Sequence, residues 1–311
     1  MWDIRSSNVL RRASSGVFGL RPRLKTPRFG SVLDTSIALA HGRFCCVTGD
    51  ARLFGRADLR RIGQDEYVKS WSVGLTGVLS LVAIIAASYG PSGLALTVGI
   101  VFSALFGYGW PHYLAIPAKK TLGAVIAICG ALAVFIARFS PGPGYLAWLP
   151  AVIALGVGAV FVIQLIRGTG QSHRLESTFG CVAGVLIVTV GAGWIAAHRF
   201  TGESAMTWIA GLSAVVVLLL GMIRWPDRII APLGLVLGGL AGPLAALLFS
   251  DVHILPAAVI GLVIAAVLLS FRRLASIASP LGNVAGSIAM GLAPVLSLGA
   301  MVYFIDKLLS A

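Results

Sequence analysis

The groups able to do chemistry in the apolar body of this chain are neutral, Ser103, Tyr108, Gln164, Thr189, Asn283, Ser287 and Ser297, and all but the last are candidates for a solute path. Hydroxyls and amides can orient a neutral or amphiphilic solute, or they can tie one helix to another. Gln164 and Asn283 are the costliest to place in hydrocarbon, so each must face another helix or a wet cavity. For Gln164 the choices are an interhelical hydrogen bond, snorkelling to an interface, or contact with a solute. Asn283, beside a helix start, reads first as a cap. A second group marks the ends of apolar stretches: Trp110 with His112, Arg174 with Glu176, and Trp225 with Asp227. His112 and Asp227 facing one vestibule would make a pH-sensitive inner gate. The blander account makes them solvated loop charges and the tryptophans ordinary interface residues.

Catalytic and metal-binding patterns are missing from the sequence. It has no HExxH for zinc, no intramembrane aspartate pair, no Asp-rich diphosphate motif and no GxxxxGK[ST]. His41, His112 and His173 fall on one side of the expected topology and His198 and His253 on the other. We therefore expect no metal site, no cofactor and no enzyme. Away from their ends the apolar stretches hold no ionisable carboxylate or basic side chain, which disfavours a conventional proton relay.

The elements that must position these residues are set by charge. Beyond Lys69 the charged residues fall in short clusters, and between them lie nine expected spans, 72–89, 92–110, 117–137, 145–166, 177–197, 205–223, 229–249, 254–271 and 282–305, free of Asp, Glu, Lys and Arg apart from Lys119 and Lys120 at the start of the third. A bilayer core needs about 20 apolar helical residues, and in lipid a single span must satisfy its own backbone. The expected fold is all-α, a polytopic transmembrane helix bundle of about nine spans. With the amino terminus inside, 21 of the 24 Lys and Arg lie on the inner side, and only Arg138, Arg199 and Lys307 lie outside. The positive-inside rule then gives a cytosolic amino terminus and an external carboxyl terminus.

The net charge of +13 thus reflects topology and a basic tail rather than nucleic-acid binding. Its counter-charge would be anionic lipid headgroups at the cytosolic face, worth about 1 kcal/mol per basic residue near the surface. Cys129 and Cys181 fall in spans and Cys45 and Cys46 on the reducing side, so no disulfide framework is implied. Residues 1–70 read as a basic cytosolic tail, an organellar transit peptide, or sequence ahead of a later start such as Val68. Residues 58–66 could form a short helix leading into the first span.

A faint internal repeat runs through 71–311, the transmembrane domain. Trp110-Pro111 followed by Pro117 matches Trp225-Pro226 followed by Pro232 at the same spacing. Leu149-Pro150-Ala151 pairs with Leu255-Pro256-Ala257, and Gly180 and Gly184 pair with Gly282 and Gly286. Each pair joins helices four apart, which suggests parallel four-helix units at about 72–166 and 177–271, followed by a ninth helix at 282–305. The glycine pairs also have a plain packing role, as do Gly234, Gly238 and Gly242.

Through Gly109-Trp110-Pro111, Arg174-Leu175-Glu176-Ser177 and its general layout, the membrane part resembles uncharacterised multi-pass membrane proteins of high-GC Gram-positive bacteria that are labelled permeases. The resemblance implies a plasma-membrane protein and carries no catalytic residue across. The leading expectation is a permease-like transporter or channel for a small solute. The alternative, from another class, is a non-catalytic scaffold for other envelope proteins, and an enzyme acting on lipid ranks last. A homo-oligomer or a membrane-protein partner fits either of the first two. A carrier requires a polar-lined cavity near mid-membrane, where Ser103, Thr189, Ser287 and Asn283 would converge. A scaffold requires a dry, close-packed interior.

Overall fold

The computed structural model describes residues 56–116, 119–142, 144–166, 174–201, 205–223, 225–249, 254–277 and 283–309. Cys45, Cys46, Pro117, His173, His253, Gly282 and most of the basic tail lie outside the described residues. The chain divides at Leu59, and the packing described below belongs to Arg60–Ala311. Among the described residues there are ten helices: α1 (Arg56–Tyr89), α2 (Ser92–Tyr113), α3 (Lys119–Phe139), α4 (Leu149–Ile166), α5 (Arg174–Val190), α6 (Gly193–Thr201), α7 (Ala205–Met222), α8 (Asp227–Phe249), α9 (Ile254–Ile277) and α10 (Val284–Leu309).

Eight of these segments are long and apolar enough to cross a membrane, α5 and α6 counting together as Leu175–Phe200, and Thr207–Met222 forms a shorter apolar helix. The protein is an all-α polytopic membrane bundle. The helix expected at 58–66 is the start of α1, which continues unbroken into the first span. The fifth expected span, 177–197, lies within the apolar segment Leu175–Phe200, which is interrupted by a turn at Gly191 and Ala192.

Association in lipid relies on close packing rather than the hydrophobic effect, so small residues set the crossings. α10 is the central helix, with Ala289, Leu292, Ala293, Val295, Leu296 and Leu298 all buried. α1 meets it where Gly291 faces Val73 and Thr76, and meets α7 where Gly74 faces Met222. On α2, a Cβ built at Gly109 would strike the Ala285 carbonyl of α10, and one at Gly107 would lie 2.7 Å from the Gly123 oxygen of α3. The α8–α9 hairpin closes the same way, Gly242 against the Ala257 carbonyl and Gly238 against Ala265. α4 packs on α3 and α5, leaving Leu155, Phe161 and Leu165 exposed for lipid.

Pro111 does not end α2, which runs on to Tyr113. A proline in the last turn leaves the helix free to close downstream. The Ile116 amide donates to the Pro111 carbonyl at 3.2 Å and the Ala115 amide to the His112 carbonyl at 3.3 Å. These bonds form a Schellman closure, and its left-handed position is taken by Ala115 at φ 52° instead of glycine. Trp110, in the same turn, points inward and is buried. Its indole N–H donates to the Gly180 carbonyl of α5 at 2.8 Å, and its ring stacks on Phe106 at 5.0 Å.

Candidate solute cavity beside a broken helix

The break in the fifth span follows from local sequence. Ile187-Val188-Thr189-Val190 is a β-branched run with restricted side chains, and it leads into Gly191-Ala192-Gly193, where the backbone is freest. Thr189 turns its hydroxyl back onto the Val185 carbonyl at 2.8 Å, a bond that competes with the helix ladder and bends helices. The Ala192 amide then reaches the Thr189 carbonyl at 3.1 Å, tightening the turn before α6 restarts.

α10 holds the broken ends in place. A Cβ at Gly193 would fall on the backbone of Gly299 and Ala300, and one at Gly299 would lie 2.8 Å from the Val190 oxygen. The Trp194 indole N–H donates to the Val295 carbonyl at 2.9 Å. Pro294 interrupts the α10 ladder beside this contact.

Next to the break lies a cavity bounded by α1, α2, α3, α5, α6, α7 and α10, with about 40 Å³ of water-accessible space. That volume holds about three waters. Its polar groups are Ser88, Ser103, His198, Thr207 and the Gly191 backbone, and its walls include Phe102, Trp194 and Leu296. Ser88 donates to the Ile85 carbonyl at 2.7 Å and Ser103 to the Gly99 carbonyl at 2.8 Å. Each serine spends its proton on its own helix. His198 Nδ1 is buried and has no hydrogen-bond partner among the described residues.

Of the expected solute-path residues, Ser103 alone lines this cavity. Tyr108 is 64 % exposed on the outside of α2. Gln164 is buried, and its Nε2 donates to Ser177 Oγ at 3.1 Å, tying α4 to α5. Thr189 is buried and bonded within α5. Asn283 precedes α10 and accepts the Ala285 amide at 3.5 Å, an N-cap geometry at the limit of length. Ser287 bonds back to the Asn283 carbonyl at 3.4 Å. The four groups expected to converge are instead spread over α2, α5 and the start of α10, and each bonds to its own local backbone.

The expected gate residues are similarly dispersed. His112 Nδ1–H donates to the Tyr108 carbonyl at 2.7 Å, one turn earlier on α2. Arg174 and Asp227 are the first residues of α5 and α8, and Glu176 is exposed in the first turn of α5. Trp225 is half exposed where Trp110 is buried, so the two matched tryptophans do different work.

Sequence reasoning did not single out Ser88, Trp194 and Thr207, which lie within expected spans, and it placed His198 on the outer side. The doublet Gly191 and Gly193 after a β-branched run was the available signal. It also missed a polar cluster at the far end of α6. There Arg199 Nη1 donates to the Ala137 and Ser140 carbonyls at 2.9 and 3.2 Å, closing the end of α3. Its guanidinium sits 4.4 Å from the Tyr145 ring centroid. Asp306, just past the ninth expected span, is buried in α10.

Comparison of the chain with protein-family models, curated proteins and solved structures finds no match.

Proposed function

We propose that this multi-pass membrane protein is a permease-like transporter or channel for a small solute. The observation that carries the proposal is the interrupted fifth span with a partly polar cavity at its break. Discontinuous helices are expensive in lipid and are tolerated where irregular backbone is enclosed by protein or lines a solute path. The cavity draws its walls from both four-helix units inferred from the sequence, as a path between two moving halves requires. In this proposal the Lys119–Lys120 and Arg272–Arg273 ends face the cytosol of a bacterial cell and meet anionic headgroups, and the carboxyl terminus is external. No catalytic role is assigned.

The test is purified protein in sealed vesicles, with solute entry followed by light scattering across a panel of small neutral and charged compounds. Faster entry than in protein-free vesicles for at least one compound is expected, and equal rates for all of them overturn the proposal. The scaffold alternative is favoured by the dense glycine crossings away from the cavity. It predicts equal rates together with co-purification of a defined membrane partner.

A further inference from the structure

We propose that the cavity is a binding site for a small apolar molecule of about two or three heavy atoms, the size of a dissolved gas or a two-carbon hydrocarbon, drawn from the bilayer. The inference rests on the transport reading in one respect: where the cavity is the solute path, such a guest blocks it.

The lining sets the class of guest. It contains no Asp, Glu, Lys or Arg, so an ion would lose hydration there without meeting a counter-charge. Its walls are mainly hydrocarbon, from residues such as Val98, Phe102, Val134, Val188, Ile195 and Leu296. Several of its polar groups are already engaged or enclosed. The Ser88 and Ser103 hydroxyls donate to the Ile85 and Gly99 carbonyls of their own helices. The Gly191 carbonyl accepts the Trp194 amide at 3.3 Å, and the Nδ1 of His198 is closed off from the cavity. A polar guest would give up its bonds to water and recover few of them against these walls. An apolar guest gives up none, and it gains dispersion contacts with the carbon around it.

Size and access point the same way. The space of about 40 Å³ is roughly a quarter of an apolar protein cavity that takes benzene or xenon, which limits the guest to a few heavy atoms. Val134, Val188, Ile195 and Leu296 are buried, while Ile84, Ala95 and Val98 keep partial exposure. The least enclosed wall is therefore that of α1 and α2, both long and apolar enough to cross the membrane. The medium along that wall is lipid hydrocarbon, where apolar molecules concentrate.

The test uses the full chain in nanodiscs, with xenon as the probe and NMR shifts of the Ile, Leu and Val methyl carbons followed against xenon pressure. The methyls of Val134, Val188 and Leu296 are expected to shift along a saturating curve. Those of the lipid-facing Leu155 should shift linearly, with the xenon dissolved in the bilayer. Ala95→Leu fills the cavity from α2 and should abolish the saturating response. Thr207→Val replaces a hydroxyl of the lining with a methyl of the same shape and should leave saturation in place. Linear cavity methyls in the unaltered protein, saturation indifferent to Ala95→Leu, or saturation lost in Thr207→Val each overturn the site. If Ala95→Leu fails to fold, Val98→Phe fills the same space one turn on and decides instead.

Solute entry into vesicles, with and without xenon, separates the two proposals. Saturating methyls with slower entry under xenon support both. Saturating methyls without entry of any solute refute transport and leave the site standing. Entry with linear cavity methyls refutes the site and leaves transport standing. Saturating methyls with entry unchanged by xenon keep the site and refute the block.

Discussion

The α8–α9 hairpin and the junction of α5, α6 and α10 both rely on glycine for close approach, and they use it to different ends. In the hairpin, Gly238 and Gly242 let two helices touch that run without a stop, although Pro243 in α8 omits one ladder donor. The hydroxyl of Ser270 there turns back to the Ala266 carbonyl. At the junction the closest glycine contact, Gly193 on Gly299 and Ala300, sits where one helix has stopped and restarted. An indole N–H then crosses to a neighbouring backbone carbonyl. Glycine on helices that run through makes a tight bundle, whereas glycine where a helix stops and restarts makes a tight bundle with a partly polar cavity beside it. The cavity lies at the second kind of contact.

The largest expected effect tests that contact directly. Gly193→Leu puts a side chain onto the backbone of α10, where no rotamer can yield, and should destabilise the bundle by about 3 kcal/mol. Recovery of monodisperse protein and its thermal midpoint in detergent should fall together. Gly242→Leu in the hairpin should cost as much, while Gly158→Leu, which meets nothing within 4 Å, should cost little. A harmless Gly193→Leu would mean that the junction is looser than described.

A smaller effect separates the two regions. Trp194→Phe removes the indole bond to the Val295 carbonyl, which keeps its place in the α10 ladder, and should cost about 1 kcal/mol, measured by unfolding in mixed micelles. Its signature is that hydrogen exchange quickens in α6 and not in α8 or α9. Ala115→Gly should stabilise by roughly 1 kcal/mol, since the αL position no longer carries a Cβ. An unchanged midpoint would contradict the Schellman closure. Gln164→Leu should have the smallest effect, about 0.6 kcal/mol. A double-mutant cycle with Ser177→Ala should recover that value as coupling, and zero coupling would remove the α4–α5 tie.

The spans were legible because absent charge over about 20 residues has few meanings in a chain with clustered Lys and Arg. Facing was not legible. Helices apolar on all sides give no moment to say which side looks inward, so Trp110 read as an interface residue and Tyr108 as part of a path. The break was missed for a related reason. Gly191 and Gly193 look like the packing glycines at Gly180 and Gly184, and only contact with α10 distinguishes a hinge from a notch. His198 was placed outside because it stands at a span end, and the cavity reaches it only because α6 is held against α10 rather than continuing α5.

α10 and α4 also differ in length. The central, mostly buried α10 has 26 residues, about 39 Å along its axis, while the lipid-facing α4 has 18, about 27 Å. Annular lipids beside α4 therefore meet a hydrophobic belt slightly thinner than an average 30 Å core. On that flank the bilayer must thin to match, and vesicles of shorter-chain lipids should hold the protein with less elastic deformation than long-chain ones.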